Sequence, residues 1–140
     1  MVSSDVARQR ATNLIYDHGG ATPARVAILA VLLAAERPLR HQEIAARLRQ
    51  RATDRVTLYR VLDWLLQQGL AHRLADAEGV WHFAASVDKT QAEHAHFHCH
   101  RCGQFYCLAD TPAPAARLPR GFVAQEKDLV INGFCAGCRA

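Results

Sequence analysis

Two Cys-x-x-Cys knuckles, Cys99-His100-Arg101-Cys102 and Cys135-Ala136-Gly137-Cys138, stand 32 residues apart in a chain with five cysteines and eight histidines. A knuckle presents two thiolates to one side of a tetrahedral ion and a second knuckle closes the other side, so Cys99, Cys102, Cys135 and Cys138 are expected to hold zinc. Four protein ligands leave no open position, which makes the site structural. A redox dithiol or two chance spacings are the competing accounts, and paired knuckles favour the metal. Directly before the first knuckle runs Glu93-His94-Ala95-His96-Phe97-His98. On a strand these three histidines share a face, so at least two imidazoles can converge on one ion. His94 and His96 are the candidate ligands, joined by His72, His82 and the fifth cysteine, Cys107. Mixed nitrogen and sulfur donors favour zinc, while copper, nickel and iron stay open on ligand type alone. His18, His41 and His100 are read as ordinary surface or core histidines. A third group, Arg55-Val56-Thr57-Leu58-Tyr59-Arg60, combines guanidinium, hydroxyl and aromatic groups of the kind that meet base edges and phosphates in a major groove. Alone, such a basic stretch is equally well a solvated helix face.

These residues need elements to hold them. Apolar spacing predicts helices over 6–18, from Pro23 to about Arg37 with Thr22 as N-cap, over 41–49, and over 54–68 with Asp54 as N-cap and Gly69 as the stop. The last of these is expected to bury Val56, Leu58, Val61, Leu62, Leu65 and Leu66. Leu70 to Ala75 and Val80 to Ala84, joined by Asp76-Ala77-Glu78-Gly79, read as a hairpin. Helices followed by a two-stranded hairpin make a winged helix-turn-helix. Residues 86–93 are polar and read as a hinge. Beyond them, strands are expected at 95–99, 104–108 and 122–131, with room for a short helix between the knuckles and with Pro112, Pro114 and Pro119 interrupting the chain.

Composition narrows the function classes. At 140 residues the chain is one domain or two small ones, not a large multidomain enzyme. Its longest apolar runs, such as Ala27–Ala35, fall well short of the roughly 20 residues that span a bilayer. Met1-Val2-Ser3-Ser4-Asp5 has no basic patch leading into a hydrophobic stretch, so a cytoplasmic location without disulfides is expected. The net charge of +4 is modest, yet residues 37–60 carry seven arginines against Glu43 and Asp54. The basic excess is concentrated in the helix-turn-helix, whereas residues 86–140 carry all five cysteines.

Taken together these residues resemble the ferric uptake regulator family of bacterial metal-dependent repressors, and are most similar to its zinc uptake regulator branch. The marks are Thr22-Pro23-Ala24-Arg25, Thr57-Leu58-Tyr59-Arg60-Val61-Leu62, Gly69-Leu70, the run from His94 to Gly103, and Gly133-Phe134-Cys135-Ala136-Gly137-Cys138. The resemblance implies an α+β chain: a winged-helix DNA-binding domain over 1–85, a hinge over 86–94, and a C-terminal α/β dimerisation domain over 95–140 stapled by the four-cysteine zinc. It also implies a regulatory metal at the hinge, with His72 and His82 on the wing, His94 and His96 at the hinge, and Cys107 where the family commonly has Glu. Five candidates exceed the four ligands of a tetrahedral zinc, so at least one, His94 or His72 first, is expected to stand outside the coordination sphere. Lys127 and Pro114 occupy positions where iron-type members place a histidine and an acid for a further site, which is therefore not expected here.

The implied function is a homodimeric repressor of zinc uptake genes, with one structural and one regulatory zinc per subunit, binding double-stranded DNA at a palindromic AT-rich operator. Arg55, Thr57, Tyr59 and Arg60 would face the groove, with Arg25 and Arg73 on the backbone. Within the family the alternative is an iron, manganese or peroxide sensor. An enzyme would need an acid/base arrangement or a substrate pocket that the sequence does not suggest. A zinc-stapled interaction module without DNA binding leaves the arginines of 37–60 without a role.

Overall fold

The computed structural model describes residues 4–48, 54–86, 94–112, 116–124 and 127–139. The chain divides into two compact units, 1–87 and 88–140. Most of the hinge, 87–93, lies outside the described residues, as do Arg49, Arg51 and Pro114.

The first unit contains α1 (Ser4–Tyr16), α2 (Pro23–Ala34), β1 (Leu39–Arg40), α3 (His41–Arg47), α4 (Arg55–Gln67), β2 (Ala71–Ala75) and β3 (Trp81–Ala85). α2 is apolar nearly all round, as befits a central helix, and buries Val26, Ala27, Ile28, Leu29, Ala30 and Leu32. Its start is set by Pro23 and by the Thr22 hydroxyl, which accepts from the Arg25 N–H at 3.2 Å. α4 opens where the Asp54 carboxylate accepts from the Thr57 N–H at 2.6 Å. It closes at Gly69, whose φ of 72° lets the Gly69 and Leu70 N–H groups turn back to the carbonyls of Leu66 and Leu65.

Leu58, Val61, Leu62 and Leu65 of α4 are buried, but Val56, expected inside, is 59% exposed. At 100° per residue it lies on the side opposite Leu58 and Leu62, and so joins Tyr59 and Arg60. The hairpin β2–β3 forms as expected, in register Ala71↔Ala85 to Ala75↔Trp81, and gains a third strand that periodicity did not indicate: β1, two residues long, pairs Leu39 with Phe83. The Asp76 carboxylate organises the turn by accepting from the Glu78 and Val80 N–H groups.

The second unit is a three-stranded sheet in the order β5-β4-β6, from β4 (His94–Cys99), β5 (Phe105–Pro112) and β6 (Leu129–Gly133). β4 and β5 run antiparallel, with extra β5 residues between the partners of His94 and Ala95; β4 and β6 run parallel. The strand expected over 122–131 is confined to its C-terminal end, because 122–124 carry no ladder pairing. No helix occurs between the knuckles among the described residues; 116–124 hold a turn at 120–121. Pro112 ends β5 rather than interrupting it, at a place where no further ladder N–H is required. Among all described residues, no helix is long and apolar enough to cross a membrane.

Part of the arginine excess is internal to the fold. Arg37 Nη2 lies 2.6 Å from Glu43 Oε2, and the Arg40 N–H donates to Glu43 Oε1 at 3.1 Å, which closes the start of α3. Desolvation opposes ionisation of Glu43, but these bonds and the two arginine charges hold its carboxyl at about 2 against an ordinary 4.5. A depressed acid stabilises the fold above its unfolded pKa and loses that contribution as pH falls from about 4.5 toward 2. Replacing Glu43 with Gln is expected to cost about 1 kcal/mol at pH 7. In thermal melts the difference from the parent should shrink below pH 4.5 and vanish near pH 2; a difference independent of pH would reject the ion pair as its source.

Candidate metal centre and nucleic-acid interface

The parallel register of β4 with β6 pairs Cys99 with Gly133, so the knuckle after β4 and the knuckle after β6 meet at one end of the sheet. Gly133 leaves room there: a Cβ would come 3.2 Å from the end of the Phe97 ring, which would have to give by a few tenths of an ångström. The four sulfurs of Cys99, Cys102, Cys135 and Cys138 lie within 4.8 Å of one another. Zinc–sulfur bonds of about 2.3 Å in a tetrahedron separate sulfurs by about 3.8 Å, and Cys102 Sγ stands 3.9 Å from Cys135 Sγ. Backbone N–H groups of Cys102 and Cys135 point at Cys99 Sγ, at 3.5 and 3.4 Å. They lower the Cys99 thiol to about 5. A hydrogen bond from the Tyr106 hydroxyl lowers the Cys135 thiol as well, while Cys138, sharing its proton with Cys135, is pushed up to about 12. Four sulfurs so placed suit a divalent soft cation, which Cys99, Cys102, Cys135 and Cys138 would hold as thiolates. The cluster is compatible with a structural zinc.

The other candidate ligands fall on both units. In the first, His82 is 2% exposed and donates from Nε2 to Asp76 Oδ2 at 3.1 Å, so a metal there would take the other ring nitrogen, backed by a carboxylate. Burial works against the Asp76 charge, but His82 and the N–H groups of Val80 and Glu78 hold its carboxyl below the usual range. His72 Nδ1 is hydrogen-bonded to Ser86 Oγ at 2.7 Å. In the second unit, His96 is 3% exposed and sits directly opposite Cys107 in the β4–β5 ladder, which puts an imidazole and a thiol on one face. Partial burial pushes the Cys107 thiol up. His94 enters only by its backbone, opposite Pro112.

On α4, Arg55, Tyr59 and Arg60 are exposed, and Thr57 is half-buried with its N–H engaged by Asp54. The Tyr59 ring leans on His41 at 5.4 Å between centroids. Arg25 lies 3.8 Å over the Trp64 ring and Arg73 lies 4.0 Å over Trp81. Val56 is a further member of this exposed face that a count of apolar residues misses and that helical phase alone would have found.

The family model described as the ferric uptake regulator family matches residues 20–114. The chain belongs to the ferric uptake regulator family. Members of the ferric uptake regulator family are metal-binding, DNA-binding transcriptional regulators. Among solved structures it is similar to the Helicobacter pylori ferric uptake regulator, at 17% identity and a TM-score of 0.67 over 99% of this chain and 95% of that one. A zinc uptake regulator solved with zinc and DNA aligns at 20% identity and a TM-score of 0.68, covering 98% and 95%. The Vibrio cholerae ferric uptake regulator aligns at 20% and 0.63, covering 89% and 98%. No curated protein matches. At these identities the neighbours share the fold, which is α+β, and leave the sensed metal to the donor atoms of this chain.

Among described residues the second unit buries little apolar side chain, Ala95, Cys99 and Phe105. A sheet with so small a core would draw stability from a metal staple. Replacing Cys135 with Ser is expected to remove one zinc per chain and to abolish hydrogen-exchange protection in β4, β5 and β6 while α1, α2 and α4 stay protected. Retained protection in β4 and β6 would show that the staple is dispensable.

Proposed function

We propose that this member of the family is a zinc-responsive, homodimeric repressor of zinc uptake genes that binds a palindromic AT-rich operator in the cytoplasm. The observation that carries the choice of metal is the His96–Cys107 pair: an imidazole and a thiol occupy adjacent positions on one sheet face, a donor set softer than iron or manganese prefers. His72, His82 and His94 are the remaining candidates for a regulatory ion distinct from the four-cysteine one, giving two zinc ions per subunit. Exposed Leu118, Phe122, Val123 and Ile131 on the second unit support self-association there.

In this reading α4 enters the major groove with Arg55, Val56, Tyr59 and Arg60 toward the bases, and the dimer spaces two such helices for two half-sites. Zinc acts as a linkage ligand. It promotes operator binding only to the extent that it prefers the DNA-competent state, and DNA tightens zinc binding by the same factor.

The test starts from duplexes selected out of a random-sequence pool, with binding then titrated in buffered zinc, iron and manganese. Zinc at low free concentration should promote binding and the others should not; promotion by iron or manganese alone would reassign the sensor. Replacing His96 with Ala should lower zinc content from two ions to one and remove the response. Replacing Arg60 with Ala should weaken operator binding about tenfold or more with zinc content unchanged.

A further inference from the structure

The chain contains two tryptophans, and the guanidinium carbon of an arginine lies over each ring, 3.8 Å from the Trp64 centroid for Arg25 and 4.0 Å from the Trp81 centroid for Arg73. Those arginines, Arg25 and Arg73, are the two assigned above to the DNA backbone; neither tryptophan has a role in that assignment. Trp81 is 42% exposed at the start of β3, across the ladder from Ala75. A large apolar ring so placed contributes little to the core. Trp64 is half-buried on α4, with its outer face under Arg25, whose Nη1 also donates to the Gly20 carbonyl at 3.0 Å.

A guanidinium held over an indole loses side-chain freedom before any ligand arrives, yet keeps in-plane N–H donors for one; at Arg25 the Gly20 carbonyl takes one of them and the others remain. Planar donors held in that way suit the paired oxygens of a phosphodiester, and a lysine ammonium cannot be held so. We propose that Trp64 and Trp81 are positioning residues for DNA backbone contact. Each holds its arginine extended as a ready-made phosphate clamp, one on the α2–α4 pair and one on the wing. The inference rests on the reading of α4 as the DNA-binding helix. Because the donors meet phosphate, both clamps act on operator and non-operator duplexes alike.

A double-mutant cycle on the full-length zinc-loaded protein tests the wing clamp, read by fluorescence anisotropy with the selected operator and with a scrambled duplex across a salt series. Arg73→Gln should reduce the slope of log affinity against log salt by about one. Trp81→Leu should weaken binding to both duplexes about threefold, Trp81→Phe should recover most of it, and in the Arg73→Gln background Trp81→Leu should have no further effect. An equal effect of Trp81→Leu in both backgrounds would overturn the clamp. For Trp64, which also packs on the core, the test runs from the arginine: Arg25→Lys keeps the charge and loses the stack, and should weaken binding as much as Arg25→Gln. Full rescue by lysine would overturn it. If Arg73→Gln leaves affinity and slope unchanged while Arg60→Ala still weakens binding, the wing clamp is wrong and the DNA-reading helix stands. If Arg60→Ala also has no effect, that reading itself fails.

Discussion

The mutual crowding of four sulfurs at one end of the β5-β4-β6 sheet is the constraint on which the second unit depends. Parallel pairing of β4 with β6 carries Cys99 and Cys135 to the same edge, and backbone N–H groups aim at Cys99 from both knuckles. Backbone N–H groups lower the Cys99 thiol, while the neighbouring Cys135 sulfur raises that of Cys138. A divalent cation supplies the charge that makes every thiolate favourable. Three strands with few buried apolar side chains can then persist as a unit.

The first unit is organised on the opposite principle. Its core is hydrophobic and continuous from Ile15 through Ile28, Leu29, Leu62 and Leu65 to Phe83, and His82, paired with Asp76, is its buried polar side chain among the described residues. Arg37 and Arg40 close α3 through Glu43, so part of the basic segment anchors a helix start, while Arg55 and Arg60 remain exposed on α4. One helix therefore has two faces with separate duties: Leu58, Val61, Leu62 and Leu65 fix its position, and that fixes where Val56, Tyr59 and Arg60 point.

Features carried by neighbouring residues were legible in the sequence. Thr22-Pro23, Asp54 and Gly69 mark helix ends through bonds reaching three to five residues, and all three marks correspond to caps in the structure. The cysteine knuckles were legible for the same reason. What depended on distant partners was not: β1 is too short to show a period and exists because Phe83 and His82 lie opposite it, and β6 is limited to the part of 122–131 that reaches β4. Val56 was misplaced by counting apolar residues instead of following their angle. Cys107 and His96 were both singled out, but that they face each other across a ladder is a matter of register that no local spacing encodes.

The parallel β4–β6 pairing has a kinetic consequence. Joining its two knuckles closes a loop of 32 residues, at an entropic cost of about 3 kcal/mol. The helical contacts of the first unit are far more local and form on a faster timescale. Within the second unit the β4–β5 pair is local, whereas β6 reaches β4 only across this loop, so the parallel pair is the slower contact to form.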